Sequence, residues 1–276
     1  MILEGYSYIT LYFSENMSKS SSKKLSTTET ALAEQYQQKT DKQHILDNPD
    51  TYIGSVENVE QKVYVYENEN SFSEINMEQY NPGLFKLFDE GIVNCRDHYI
   101  RMQSKEDGPE NEKVTQINIS INNGEITMYN NGNGIDVEIH PEYKVYIPEL
   151  IFGHLLTSGN YDKKEKVTGG KNGYGGKLAN IFSTKFIIET VDHWNQKKYI
   201  QEFRDNMSVK DEPKITSSKA KPYTKITYLP DYARFGTEGL SDDMYKLMLK
   251  RAYDLSATTG NKVNIYFNGD RLATKN

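Results

Sequence analysis

Val114-Thr115-Gln116-Ile117-Asn118-Ile119-Ser120-Ile121-Asn122-Asn123-Gly124-Glu125-Ile126-Thr127-Met128-Tyr129-Asn130-Asn131-Gly132-Asn133-Gly134-Ile135 is the stretch on which the fold turns. Ile117, Ile119 and Ile121 alternate with polar residues, the period of a strand with one buried face. Asn123-Gly124 is a hairpin turn signal, and Ile126 and Met128 resume the alternation on the return strand. On that period Asn130 falls on the apolar face, where its amide needs a partner. That partner is either a backbone group or a ligand such as a purine amino group. Gly132-Asn133-Gly134 then turns the chain.

Working outward, residues 84–100 predict a helix and Val63 to Tyr66 a strand. Pro148 to Leu156 predicts a helix with proline in its first turn. Strands are expected at Phe186 to Val191, Tyr199 to Phe203, Thr224 to Leu229 and Val263 to Phe267. Ser241 is the expected N-cap of a helix running through Leu255. Helices and strands mix without a regular βαβ rhythm, which predicts an α+β sandwich rather than a doubly wound sheet.

On the first helix, 100° per residue places Glu90, Asn94 and Asp97 on one stripe beside the core-facing arc of Leu84, Leu87, Phe88 and Cys95. Such a stripe is either a solvated face or the wall of a pocket. In a pocket the carboxylate could take a proton from an attacking water, and the amide oxygen could ligate Mg²⁺, a hard cation. Gly91, inside the helix, signals close packing there or nothing.

A third cluster is Thr168-Gly169-Gly170-Lys171-Asn172-Gly173-Tyr174-Gly175-Gly176-Lys177, followed by the apolar run Leu178 to Phe182. It reads either as a flexible surface loop or as a phosphate-binding loop that feeds a helix N-terminus. It is not a Walker A loop, because Lys171 stands where the first glycine is needed and Leu178 where Ser or Thr is needed. Gly132-x-Gly134 and Gly173-x-Gly175 also lack the third glycine of a dinucleotide fingerprint.

Composition sets the outer bounds. The chain has 276 residues, 36% of them hydrophobic, enough for a real core, and no apolar run long enough to span a membrane. Its only cysteine, Cys95, excludes internal disulfides and cysteine-pair zinc sites, and fits a reducing compartment. The net charge of −6 argues against a main grip on DNA by this chain. The Ser/Thr/Lys-rich residues before position 31 are expected to be a disordered tail.

Taken in order, these clusters resemble the GHKL ATPases, and within them eukaryotic-type DNA topoisomerase II. The likeness runs through His44-Ile45-Leu46-Asp47-Asn48-Pro49-Asp50-Thr51-Tyr52-Ile53-Gly54-Ser55, Pro82 to Glu90, Asn130 to Ile135, Ile151 to Ser158, Asn160-Tyr161-Asp162, Val167 to Leu178 and Asn180 to Phe186. It implies a two-layer α/β sandwich of the GHKL (Bergerat) type, with a mixed, mostly antiparallel sheet and helices on one face. Behind the tail over 1–30 that composition predicts, it implies a strap over 31–55 that crosses to a second subunit, and the ATPase domain over 56–276.

The resemblance also assigns roles. Glu90 matches the general base, Asn94 the Mg²⁺ ligand, and Asn130 the residue that reads adenine. Ser158 and Asn160 match ribose and phosphate contacts, and Gly159 between them falls among the ATP-binding residues. Gly170, Lys171, Asn172, Gly173, Tyr174, Gly175, Gly176 and Lys177 match the phosphate-binding lid, and Thr224 matches a threonine near the adenine. The implied ligands are ATP and Mg²⁺. The implied assembly is a nucleotide-driven homodimer that meets DNA through the full-length enzyme, in a nucleus or a viral factory. The alternatives are another GHKL ATPase and a nucleotide-switched dimerisation module.

Departures from the family pattern are His98 for a usual Asn, Gly91 for Ile or Leu, Gly159 for Ser, Lys171 for Arg and Gly176 for Ala. The family's transducer domain, which sends a lysine to the γ-phosphate, is expected to begin about where this sequence ends at Asn276. The chain therefore reads as a fragment, better at binding than at turnover.

Overall fold

The computed structural model describes residues 40–68, 71–108, 111–155 and 175–272. The tail and the first part of the strap lie outside the described residues. Two short helices fill the rest of the strap, α1 (Asp41–Asp47) and α2 (Pro49–Tyr52). Ile45 and Ile53 anchor this segment in the core at 1% and 3% exposure.

A hairpin follows, β1 (Val59–Tyr66) with β2 (Phe72–Tyr80). Only part of β1 was legible in the sequence. The second strand, Phe-Ser-Glu-Ile-Asn-Met-Glu-Gln-Tyr, buries Met77 alone, so its alternation is too polar to stand out.

Helix α3 spans Pro82–Gln103, longer at both ends than expected. Asn81 starts it: its side chain accepts from Leu84 N at 3.0 Å and donates to the Val56 carbonyl at 2.7 Å. Pro82 fills the first turn, where a missing N–H costs nothing. At the other end, Lys113 Nζ donates to the Met102 and Lys105 carbonyls, satisfying acceptors that a helix end leaves open. Leu84, Leu87, Phe88 and Cys95 face the core as expected, and Ile92 joins them. Each large apolar side chain so buried contributes about 1.5–3 kcal/mol.

The remaining elements are β3 (Gln116–Asn122), β4 (Glu125–Asn131), α4 (Ile147–Gly153), α5 (Gly175–Ile181), β5 (Ser183–Asp192) and β6 (Lys197–Arg204). Then come β7 (Val209–Lys210), β8 (Lys214–Ser217), β9 (Tyr223–Pro230), α6 (Asp242–Thr259), β10 (Asn264–Phe267) and β11 (Asp270–Arg271). Ser241 caps α6 as expected, accepting from Met244 N at 3.3 Å, and Tyr253 of α6 stacks on Tyr66 of the hairpin at 5.0 Å.

Among the described residues nine strands form one sheet in the order β11-β10-β3-β4-β9-β5-β6-β7, with β8 also on β6. Every pairing is antiparallel except β10 with β3. Ile117, Ile119, Ile126, Met128, Phe186, Ile188, Tyr199, Phe203, Ile226 and Tyr228 point to the helix side and are buried, while the residues that alternate with them are part-exposed. The α+β sandwich with a mixed, mostly antiparallel sheet and one covered face is therefore what forms. No helix of the described residues is long and apolar enough to cross a membrane.

Candidate active site

Helix α3 lies along β4, and the two run in the same direction. Tyr228, paired with Ile126, donates its hydroxyl to the Leu87 carbonyl at 3.4 Å. One turn on, Gly91 packs against Met128: a Cβ there would overlap Sδ and lie 2.9 Å from Cε. Four helical residues advance roughly 6 Å and two strand residues roughly 7 Å, so helix and strand keep in step over this stretch. Gly91 therefore marks close packing, which settles the choice the sequence left open. Helix and strand approach closely because this residue has no side chain.

The start of α5 closes over that stripe. A Cβ on Gly175 would collide with Glu90 Oε2 and lie 3.7 Å from Asn94 Nδ2. A Cβ on Gly176 would lie 2.8 Å from the Phe152 ring and 3.8 Å from Asn94 Nδ2. The two glycines thus leave a cradle against the carboxylate and the amide. Glu90 Oε1 is held by Lys86 Nζ at 2.6 Å, while Asn94 stays exposed. Asp97, the third residue of the stripe, is buried at 8% exposure and lies 3.7 Å from Arg96. Lys177 is 2% exposed, and burial pushes its ammonium down to about 8. Asn180 Nδ2 donates to the Phe152 carbonyl at 3.0 Å, tying α5 to α4.

Asn130 points inward at 6% exposure, and its Nδ2 donates to the Asn131 carbonyl at 3.0 Å. Thr224 is its cross-strand neighbour on β9. The Thr224 hydroxyl lies 3.3 Å from that of Thr190, which donates to the Tyr223 carbonyl at 2.8 Å and accepts from Ile135 N at 2.9 Å. Two residues on, Asp192 accepts from Val137 N at 2.8 Å. Burial pushes the Asp192 carboxyl up, but backbone N–H groups of Val137, Asn195 and Trp194 and the Asn195 amide together hold it below its ordinary value. The glycine turn is thus stitched to β5. Gly134 fits only without a side chain, since a Cβ would run into the Val191 carbonyl.

His98 sits one turn beyond Asn94. Its Nδ1 lies 2.6 Å from Arg101 Nη2. A guanidinium can only donate, so Nδ1 accepts and the proton sits on Nε2. Burial, then the Arg101 charge, push the imidazole down to about 4; an Asn133 backbone interaction offsets part of this, and Lys105 adds to it.

The described residues therefore bring Glu90 and Asn94 against Gly175 and Gly176 at the start of α5, the helix that also carries Lys177, and set Asn130 opposite Thr224 on β4 and β9. Ser158, Gly159, Asn160, Gly170, Lys171, Asn172, Gly173 and Tyr174 lie outside the described residues. Sequence reasoning missed Lys86, Phe152, Thr190 and Asp192. Lys86 was legible in principle, four residues before Glu90. Thr190 and Asp192 gave no local signal, because they belong to a strand distant in sequence from the turn they hold.

No protein-family model matches the chain. It is 45% identical to DNA topoisomerase 2 of Saccharomyces cerevisiae over 254 residues, which is 91% of this chain and 17% of that protein. To DNA topoisomerase 2 of Acanthamoeba polyphaga mimivirus it is 45% identical over 269 residues, 94% of this chain and 20% of that one. The chain thus spans about a fifth or less of these relatives. Among solved structures, the ATPase region of Saccharomyces cerevisiae topoisomerase II superposes with a TM-score of 0.80 at 46% identity, covering 87% of this chain and 62% of that one. The ATPase and transducer domains of the Balamuthia mandrillaris enzyme match with a TM-score of 0.80 at 41% identity, covering 87% and 61%.

Proposed function

Because this chain belongs to the DNA topoisomerase 2 family and aligns with its ATPase region, we propose that it binds ATP with Mg²⁺ and hydrolyses it as the N-terminal gate of a type II DNA topoisomerase. The observation that carries this reading is the cradle of Gly175 and Gly176 against Glu90 and Asn94. A general base, an oxygen ligand and side-chain-free backbone at a helix start are what phosphoryl transfer to water requires.

The adenine end falls to Asn130 and Thr224, with Thr190 fixing the Thr224 side. The phosphate end falls to Gly170, Lys171, Asn172, Gly173, Tyr174, Gly175, Gly176 and Lys177, with Ser158, Gly159 and Asn160 toward the ribose. Asn94 presents an exposed amide whose oxygen suits Mg²⁺, and the bound cation would neutralise phosphate charge there. Glu90 orients a water and takes its proton. The low dielectric that depresses Lys177 also strengthens its attraction to a phosphate.

Nucleotide binding favours a homodimer joined through the 31–55 strap, an order-and-closure switch. In the full-length enzyme, closure captures a DNA segment in the nucleus or a viral factory. With a charge of −6, this chain itself holds DNA weakly or not at all.

The test is calorimetric titration with Mg²⁺ and a non-hydrolysable ATP analogue, on wild type and Asn94→Ala. Saturable binding by wild type that the variant loses supports the site. Equal binding by both removes Asn94 from it, and no binding by folded wild type overturns the nucleotide reading for this chain.

A further inference from the structure

We infer that Lys86 is a positioning residue for hydrolysis: it engages Glu90 Oε1 and so turns Oε2, the oxygen beside Gly175, toward the water that attacks the phosphate. This rests on the hydrolytic reading of the site above.

The two oxygens of Glu90 are distinguishable. Oε1 lies 2.6 Å from Lys86 Nζ, and Oε2 faces the start of α5. A lysine placed four residues before a glutamate is the less favourable order for such a pair on a helix. Helix stability is therefore a poor account of it. Side chains on a helix lean toward its N-terminus, so Glu90 leans back over the turn that carries Lys86. The lysine side chain is 42% exposed and that of Glu90 21%, so the ammonium stays wetted outside the cradle while the carboxylate reaches in. A carboxylate on a flexible stem otherwise rotates freely, and pinning one oxygen leaves a single orientation for the other. In the step itself, the water oxygen bonds to the terminal phosphorus and its proton goes to Oε2. The bond from that phosphorus to the bridging oxygen breaks, leaving its electron pair on the diphosphate.

The experiment compares wild type, Lys86→Met, Lys86→Arg and Glu90→Gln. Single-turnover ATP hydrolysis with the chain in excess is measured beside the affinity for a non-hydrolysable analogue. Lys86→Met is expected to slow hydrolysis by about 10- to 100-fold, the range of a misplaced catalytic group. Its affinity should stay within about twofold, and Lys86→Arg should recover part of the rate, because a donor still reaches Oε1. Full activity in Lys86→Met overturns the inference. So does a loss of affinity in parallel with rate, which would make Lys86 a nucleotide contact. Hydrolysis by Glu90→Gln at the wild-type rate instead overturns the general-base reading on which the inference stands, and wild type that binds without hydrolysing overturns the hydrolytic reading for this chain.

Discussion

Replacing Gly91 by alanine sets two effects against each other at one position. Alanine in a helix interior is more favourable than glycine by about 1 kcal/mol. Against that, the new Cβ would overlap Met128 Sδ and lie 2.9 Å from Cε, and Met128 is 1% exposed. Methionine is the most adaptable core residue, yet here it has little room to retreat. Overpacking a filled core costs about 1–3 kcal/mol. The net expectation for Gly91→Ala is therefore destabilisation by up to about 2 kcal/mol. At this size that lowers the melting midpoint by roughly 2–8 °C.

The sign should reverse once the obstacle is shortened. In a Met128→Val background, Gly91→Ala should stabilise by about 1 kcal/mol, giving a coupling within the range of about 0.5–3 kcal/mol of contacting pairs. Urea unfolding of the four variants supplies the cycle. Stabilisation by Gly91→Ala with Met128 in place, or additivity within about 0.5 kcal/mol, would refute the claim that this glycine exists to let helix and strand approach. The same cycle reads on function. Gly91 neighbours Glu90, and Met128 shares a face with Asn130, so the destabilised single variant should also bind nucleotide more weakly than the double.

Three further outcomes follow from the structure. Gly134→Ala, whose Cβ would run into the Val191 backbone, should cost at least about 3 kcal/mol by urea unfolding, and a loss under 1 kcal/mol would contradict the close approach. Thr190→Val removes the acceptor for Ile135 N and should cost about 1–3 kcal/mol while weakening nucleotide affinity; unchanged thermal unfolding would rule out the stitch. His98 takes a proton only near pH 4 when folded but near 6.5 when unfolded, so its contribution is complete above pH 6.5 and is lost as pH falls toward 4. That amounts to about 3 kcal/mol at most, and urea midpoints from pH 7.5 to 4.5 should flatten in His98→Asn; an unchanged slope would place the acid sensitivity elsewhere.

Local pattern determined much of this protein. The period of two across Ile117 to Asn130 gave the central hairpin and the inward Asn130. The 100° stripe gave Glu90 and Asn94 beside a buried arc. The glycines at 175 and 176 marked a backbone meant to approach something. These signals are short-range: face, turn and cap are properties of a few neighbouring residues. Tertiary structure decided the rest. It set the β10-β3 parallel pairing and the place of β2, whose polar sequence hides its period. It made Met128 the reason for Gly91, and Val191 the reason for Gly134. It brought Thr190 and Asp192 to a turn more than 50 residues earlier in the chain, and Gly175 against a carboxylate 85 residues away. Whether a glycine is an economy or a necessity depends on the atom opposite it, and only the folded chain supplies that atom.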